Sequence, residues 1–281
     1  MKKTYLMLAI LALLTVVTAC GQKKETKTEE TPKMLVIYYS QTSNTKTVAQ
    51  EFANKLGADI EEIVAVKPYD GDFQVTIGRC MQEREQGVTP EIQPVAADLA
   101  NYDVIFIGFP VWFGTCAPPV ISFLNQVDLS GKKVVPFCTF GSGGLESSSK
   151  TIAEKQPQAE ILPGYGVRAA RMSAVPQEVD QFLKASGFIE GEYTKLADFP
   201  EQQPVSEQLS AIFDAAVGDY PMIHAKAKTV SSRTIPGGTE YLFTAVDLPR
   251  NDNQQAPPAG EMKVYVTVLD GATPEFTRVD R

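Results

Sequence analysis

Apolar residues fall in short runs, and most of the runs are separated by segments with helical spacing. Residues 34–39, MLVIYY, are apolar without alternation, as in a strand buried on both faces. Val48, Ala49, Phe52 and Leu56 then recur one helical turn apart, predicting a helix over 45–56 that Gly57 closes. A second strand is predicted over 60–66 and a helix over 72–86, stopped by Gly87 and Pro90. The clearest strand is 104–108, VIFIG, followed by a helix over 119–127 with proline in its first turn. A fourth strand spans 133–138, where Pro136 is an awkward member because it brings no N–H to a ladder. After a glycine-serine loop come a helix over 145–154, a weaker fifth strand within 160–167, and a helix over 176–185 capped by Gly187.

Strand and helix thus alternate five times, which predicts a parallel sheet covered on both faces, a three-layer α/β domain over 34–187. In such sheets ligands sit beyond the carboxyl ends of the strands, where the winding direction switches. The informative loops are therefore those after the first, third and fourth strands. Residues 188–204 read as loop. A helix over 206–217 and three strands over 223–230, 240–246 and 262–269 follow, separated by Pro236-Gly237-Gly238 and by 251–260. Residues 205–281 are therefore predicted to form a small α+β unit.

Composition narrows the function. With 43% apolar residues in 281, the chain is no disordered polymer. A net charge of −8 without a basic block makes it a poor nucleic-acid binder. The single histidine, His224, excludes a His-rich metal centre, and no metal site is expected. It falls in a predicted strand of the C-terminal unit, where a structural role is the simpler reading.

The N-terminus reads differently from the rest. Lys2 and Lys3 precede an uncharged run over 5–19, shorter than the ~20 residues a spanning helix needs but suited to a signal peptide. Small residues before Cys20 resemble the bacterial lipoprotein box, which implies that residues 1–19 are removed and Cys20 is acylated. Residues 20–33 would then be a polar tether. Such a protein is anchored to the membrane of a cell envelope, facing the periplasm or exterior, without crossing the bilayer. Three cysteines remain, Cys80, Cys116 and Cys138, and no disulfide framework is indicated.

The three loops carry the candidate chemistry. After the first strand, Ser40, Gln41, Thr42, Ser43, Asn44 and Thr45 gather hydroxyls and amides where a helix begins, as an anion site requires. An ordinary capped turn is the plain alternative. Neither a P-loop nor a dinucleotide fingerprint is present in this turn. After the third strand, Pro110, Val111, Trp112, Phe113 and Gly114 place the sole tryptophan at a strand end. There it either stacks on a planar ligand or packs under the next helix. After the fourth, Thr139, Phe140, Gly141, Ser142, Gly143 and Gly144 let backbone approach a ligand closely, or simply form a flexible turn. Tyr38 and Tyr39 end the first strand, one facing the core and the other able to border the site. Cys116 reads as a small buried hydrophobe before it reads as a redox group.

Residues 40–45, 110–114 and 141–144 together resemble the flavodoxin family over about 34–183. The resemblance implies a sheet of order 2-1-3-4-5 and a bound flavin mononucleotide (FMN). The phosphate would lie on Ser40, Thr42, Asn44 and Thr45, the isoalloxazine against Trp112, and its pyrimidine edge against the backbone of 139–144. The chain departs from many relatives in carrying Ser43 where they have glycine, and Phe140 where longer flavodoxins offer a tyrosine. No residue is assigned a catalytic role. The implied function is electron transfer or flavin-dependent reduction in the envelope. The alternatives are an FMN-dependent NAD(P)H:quinone reductase and a flavin-free scaffold lipoprotein.

Overall fold

The computed structural model describes residues 32–69, 71–218, 220–248 and 260–281. The proposed leader, Cys20 and nearly all of the tether lie outside these residues. Among the described residues no helix is long and apolar enough to cross a membrane.

The chain opens with β1 (Met34–Tyr38), α1 (Asn44–Leu56), β2 (Asp59–Glu62) and α2 (Phe73–Glu85). It continues through β3 (Val104–Trp112), a short β4 (Thr115–Cys116), α3 (Pro118–Gln126), β5 (Lys133–Phe140) and α4 (Leu145–Lys155). Two short strands, β6 (Glu160–Ile161) and β7 (Tyr165–Arg168), precede α5 (Val175–Ala185). The parallel sheet runs β2-β1-β3-β5-β6, with β4 folded back on β3 and β7 also paired to β5. Setting β4 aside, this is the expected 2-1-3-4-5 order.

The fifth position is split between β6 and β7, a difference from the single strand predicted. β5 pairs with β6 through Lys133 and Val134 and with β7 from Phe137 onward, so the gap falls opposite Pro136, which has no N–H to give. The second strand also ends at Glu62, four residues early. Ile63 and Ala65 are buried beyond it, and Ala65 instead bridges to Ile92.

Strand residues alternate between two cores. Leu35, Ile37, Ile105, Ile107 and Phe109 face α3 and α4, packing with Val120, Phe123 and Ile152. Val36, Val104, Phe106, Val135 and Phe137 face α1 and α5, packing with Phe52, Val179 and Leu183. Each strand is thus apolar on both sides because each side meets helices. Helix ends follow their local chemistry. Asp72 accepts from the Val75 amide at 2.9 Å to start α2, and Gly57, at φ 61°, ends α1.

The C-terminal part comprises β8 (Gln203–Pro204), α6 (Glu207–Val217), β9 (Ala225–Ile235), β10 (Gly238–Asp247), β11 (Glu261–Leu269) and β12 (Glu275–Asp280). These strands form one antiparallel sheet, β12-β11-β10-β9-β8, against which α6 packs through Phe213. It has five strands where three were predicted: β8 and β12 are additional, and β9 starts later and runs five residues further.

Candidate functional site

β1, β3 and β5 are adjacent and parallel, so their carboxyl ends lie on one rim. The three turns that follow are joined there by short contacts. Thr45, in the first turn of α1, shares a buried 2.8 Å hydroxyl hydrogen bond with Thr139 at the end of β5. Gly144 lies against Val111: a Cβ on it would stand 2.5 Å from a Val111 methyl. Ser147 donates to the Gly114 carbonyl.

The first turn sets hydroxyls at the start of a helix. Ser43 stands at the N-cap of α1 with φ 65° and makes no side-chain capping bond. Thr42 and Ser43 are exposed, Ser40 and Asn44 half-buried, and Thr45 buried. The Lys46 amide is taken by Ser40 Oγ at 3.2 Å and the Thr47 amide by the Ser43 carbonyl. Lys46 itself pairs with Glu62 at 3.3 Å. A phosphate on this turn would therefore meet hydroxyls, the Asn44 amide and the start of a helix, with the nearby lysine already paired. That donor set fits a phosphoester held without a cation.

The second turn is an aromatic hairpin. Trp112 pairs with Thr115 across Phe113 and Gly114, whose φ values are 51° and 79°. Two left-handed central residues make a type I′ turn, which favours asparagine or glycine at the first position. Phenylalanine there costs of order 1–3 kcal/mol in backbone strain, and its ring is 49% exposed. The strand itself runs on through Trp112, four residues further than predicted. The indole is half-buried and meets Tyr39 and Tyr69 edge-on, with ring centroids 5.9 and 5.1 Å away. It joins the packing on the α3 side while one part stays open at the rim.

The tyrosines form a supporting shelf that the pattern reading largely missed. Tyr39 donates to Gln41 at 2.7 Å, and Gln41 donates to the Tyr69 carbonyl. Tyr69 donates to Glu83, which also pairs with Arg79 at 2.7 Å, and the Arg79 guanidinium lies 3.9 Å from the Tyr69 ring centroid. Burial pushes both phenols well above their ordinary range, with the bond to Glu83 adding to the shift at Tyr69. Both therefore stay neutral donors. Tyr38 points the other way, to Glu62 at 3.0 Å, so Tyr39 is the member that borders the site. Tyr69 carried no signal beyond its neighbouring proline.

In the third turn Thr139 and Phe140 are buried and Gly141 is exposed. The space left by the missing Cβ atoms is used by the protein itself. A Cβ on Gly141 would lie 2.9 Å from the Tyr220 hydroxyl, and one on Gly143 would lie 2.0 Å from the Val279 carbonyl oxygen. A cavity of about 370 Å³ opens beside this contact, lined by Gly114, Gly143, Ser147, Lys150, Val279 and Arg281.

Other candidates settle plainly. Cys116 is buried, its thiol 3.8 Å from the Ser148 carbonyl, and burial pushes it up to about 12. His224, expected within a strand over 223–230, is exposed and lies just ahead of β9. Among the described residues no cluster of His, Cys, Asp and Glu could hold a metal ion.

A doubly covered parallel sheet with a hydroxyl turn, an aromatic hairpin and a glycine turn on one rim is the architecture of a flavodoxin-like domain. Comparison with known proteins agrees: the flavodoxin family matches residues 33–182, and the chain belongs to that family. Among solved structures it is similar to a Bacteroides uniformis ATCC 8492 protein provisionally assigned as a flavoprotein. That likeness has 29% identity and a TM-score of 0.47, covering 54% of this chain and 99% of the other. A provisional flavoprotein from Bacteroides eggerthii DSM 20697 is 27% identical, with TM-score 0.46, over 53% of this chain and 96% of its own. A Lactobacillus acidophilus NCFM flavoprotein solved in complex with FMN is 26% identical, with TM-score 0.45, over 53% of this chain and 97% of its own.

Proposed function

We propose that this flavodoxin-family chain binds FMN on the rim and serves in electron transfer or flavin-dependent reduction, tethered to an envelope membrane through acylated Cys20. One observation carries the flavin reading. Ser43 and Phe113 are the two non-glycine residues with left-handed backbones among the described residues, and they cap two of the three converging turns. Strained residues persist where the surrounding structure holds them for use.

The first turn receives the phosphate through the Ser40, Thr42 and Ser43 hydroxyls, the Asn44 amide and the dipole of α1, while the Thr45 hydroxyl, expected from sequence to join them, is buried against Thr139 and holds the turn from beneath. Pro110, Val111, Trp112, Phe113 and Gly114 supply the apolar wall for the ring. Thr139 and Phe140 support the turn from below, and the backbone of Gly141, Ser142, Gly143 and Gly144 offers its amides to the polar edge. Bound FMN supplies one- and two-electron redox chemistry. The protein's share is to hold the ring against an apolar wall and to limit water around it.

Titration of purified protein with FMN tests this reading: the flavin absorbance bands shift and its emission is quenched at stoichiometric binding. Unchanged flavin spectra at saturating protein would overturn it. The flavin-free scaffold is favoured by one specific feature, the edge-on packing of the indole against Tyr39 and Tyr69, and it predicts that null spectrum. Oxidation of NADPH coupled to a quinone would separate a reductase from a carrier. Labelling with palmitate, lost in Cys20→Ala, tests the anchor.

A further inference from the structure

The antiparallel C-terminal sheet has no part in the flavin reading as it stands, yet its edge strand is bonded directly to the third turn. The Val279 amide donates to the Ser142 carbonyl at 2.6 Å. Arg168, at the end of β7, donates through Nε to the Gly141 carbonyl at 2.9 Å and through Nη1 to the Phe276 carbonyl at 2.6 Å. Its guanidinium also lies 4.3 Å from the Phe276 ring centroid and 5.1 Å from that of Tyr220. One planar fork thus bonds a carbonyl on each side of the junction, a geometry that lysine cannot reproduce. Nearby, Arg171 pairs with Glu178 at 2.8 Å, on α5, and with Glu275 at 3.0 Å, on β12.

We infer that the C-terminal sheet is a working part of the flavin site, with Arg168 as a positioning residue that clamps the 141–144 turn to β12. This rests on the FMN reading and deepens it. The contact needs glycine at 143, since any Cβ there would collide with the Val279 carbonyl. Two of the turn's carbonyls, those of Gly141 and Ser142, are engaged by the clamp. The course of the turn's remaining backbone groups is thereby set in part from outside the flavodoxin-like sheet, by Val279.

Two variants attack the clamp from opposite sides, Arg168→Ala and Gly143→Ala, with Arg168→Lys as the conservative control. Far-UV circular dichroism establishes that each folds. In the apoprotein, hydrogen exchange should rise together at residues 141–144 and 276–279 in both variants, with partial recovery in Arg168→Lys. FMN affinity should fall on the order of tenfold in Arg168→Ala, the effect of removing one charge-assisted anchor. Exchange that rises only in β12, with the turn and FMN affinity unchanged, would overturn the proposal. If both variants fail to fold, exchange in the wild-type apoprotein decides: residues 141–144 and 276–279 must open with one common free energy, and separate openings refute the clamp. Failure of the wild type to take up FMN defeats the underlying flavin reading, while apoprotein exchange still judges the clamp.

Discussion

Thr45 and Thr139, 94 residues apart in the chain, share one hydroxyl hydrogen bond beneath the rim, with both side chains almost fully buried. This bond ties the helix that closes the hydroxyl turn to the strand that opens the glycine turn. Replacing either threonine by valine keeps the shape but leaves the other hydroxyl unpaired. Each single variant should lose about 1–3 kcal/mol in urea unfolding. The double variant should lose less than the two together, since it leaves no orphan. Strict additivity would show that the bond contributes nothing.

Trp112 is the sole tryptophan, so its emission reports on the rim alone. Addition of FMN should quench most of that emission in step with the flavin absorbance change. Trp112→Phe should retain flavin with weaker affinity. Trp112→Ala should also lose about 2–3 kcal/mol of stability, less than a fully buried aromatic, because the indole is only half-buried. Quenching that saturates at a different concentration from the absorbance change would place the flavin elsewhere.

Ser43 holds a left-handed backbone that glycine adopts without penalty. Relief of that strain exceeds the extra unfolded-state entropy of glycine only modestly, so Ser43→Gly should gain up to about 1 kcal/mol. If the hydroxyl also holds phosphate, the same variant should bind FMN more weakly while melting higher. A gain in both stability and affinity would reduce Ser43 to a backbone role.

Burial raises the Cys116 thiol from about 9 to about 12 and the Cys80 thiol to about 11. Between pH 9 and these values the unfolded chain has released protons that the folded chain keeps. Stability on this account is therefore level below pH 9 and falls as pH rises through the window. The buried tyrosines Tyr39 and Tyr69 act in the same sense from about pH 10 upward. Thermal melts from pH 7 to 11 should show this alkaline decline, shallower in Cys116→Ala. At pH 8 a thiol reagent should leave Cys116 untouched until the protein is unfolded.

The sequence made the central strands and their helices legible because burial on both faces leaves unbroken apolar runs at β1, β3 and β5. It identified the three turns by residue type and brought them to one rim by topology alone. The C-terminal sheet was less legible for a physical reason. In β12 the pairing register shifts between Tyr265 and Val266, so the buried residues Phe276 and Val279 fall three apart and break the period of two. The glycine turn shows a different limit. Composition says that backbone must come close to something at Gly143, and only coordinates reveal that the approaching group is Val279. Likewise Arg168 looks like any strand-end cation until its fork is seen to bridge two sheets.

The bond between Ser142 and Val279 also makes the third turn depend on a distant part of the chain. The strands of the parallel sheet, and every residue assigned to the flavin, precede β12 in the chain. Until the last hairpin closes, the third turn has neither its clamp strand nor the Phe276 carbonyl that Arg168 grips. The third turn is therefore complete only when β12 is in place, and on the FMN reading its grip on the flavin depends on a contact 137 residues away in the chain (279 minus 142).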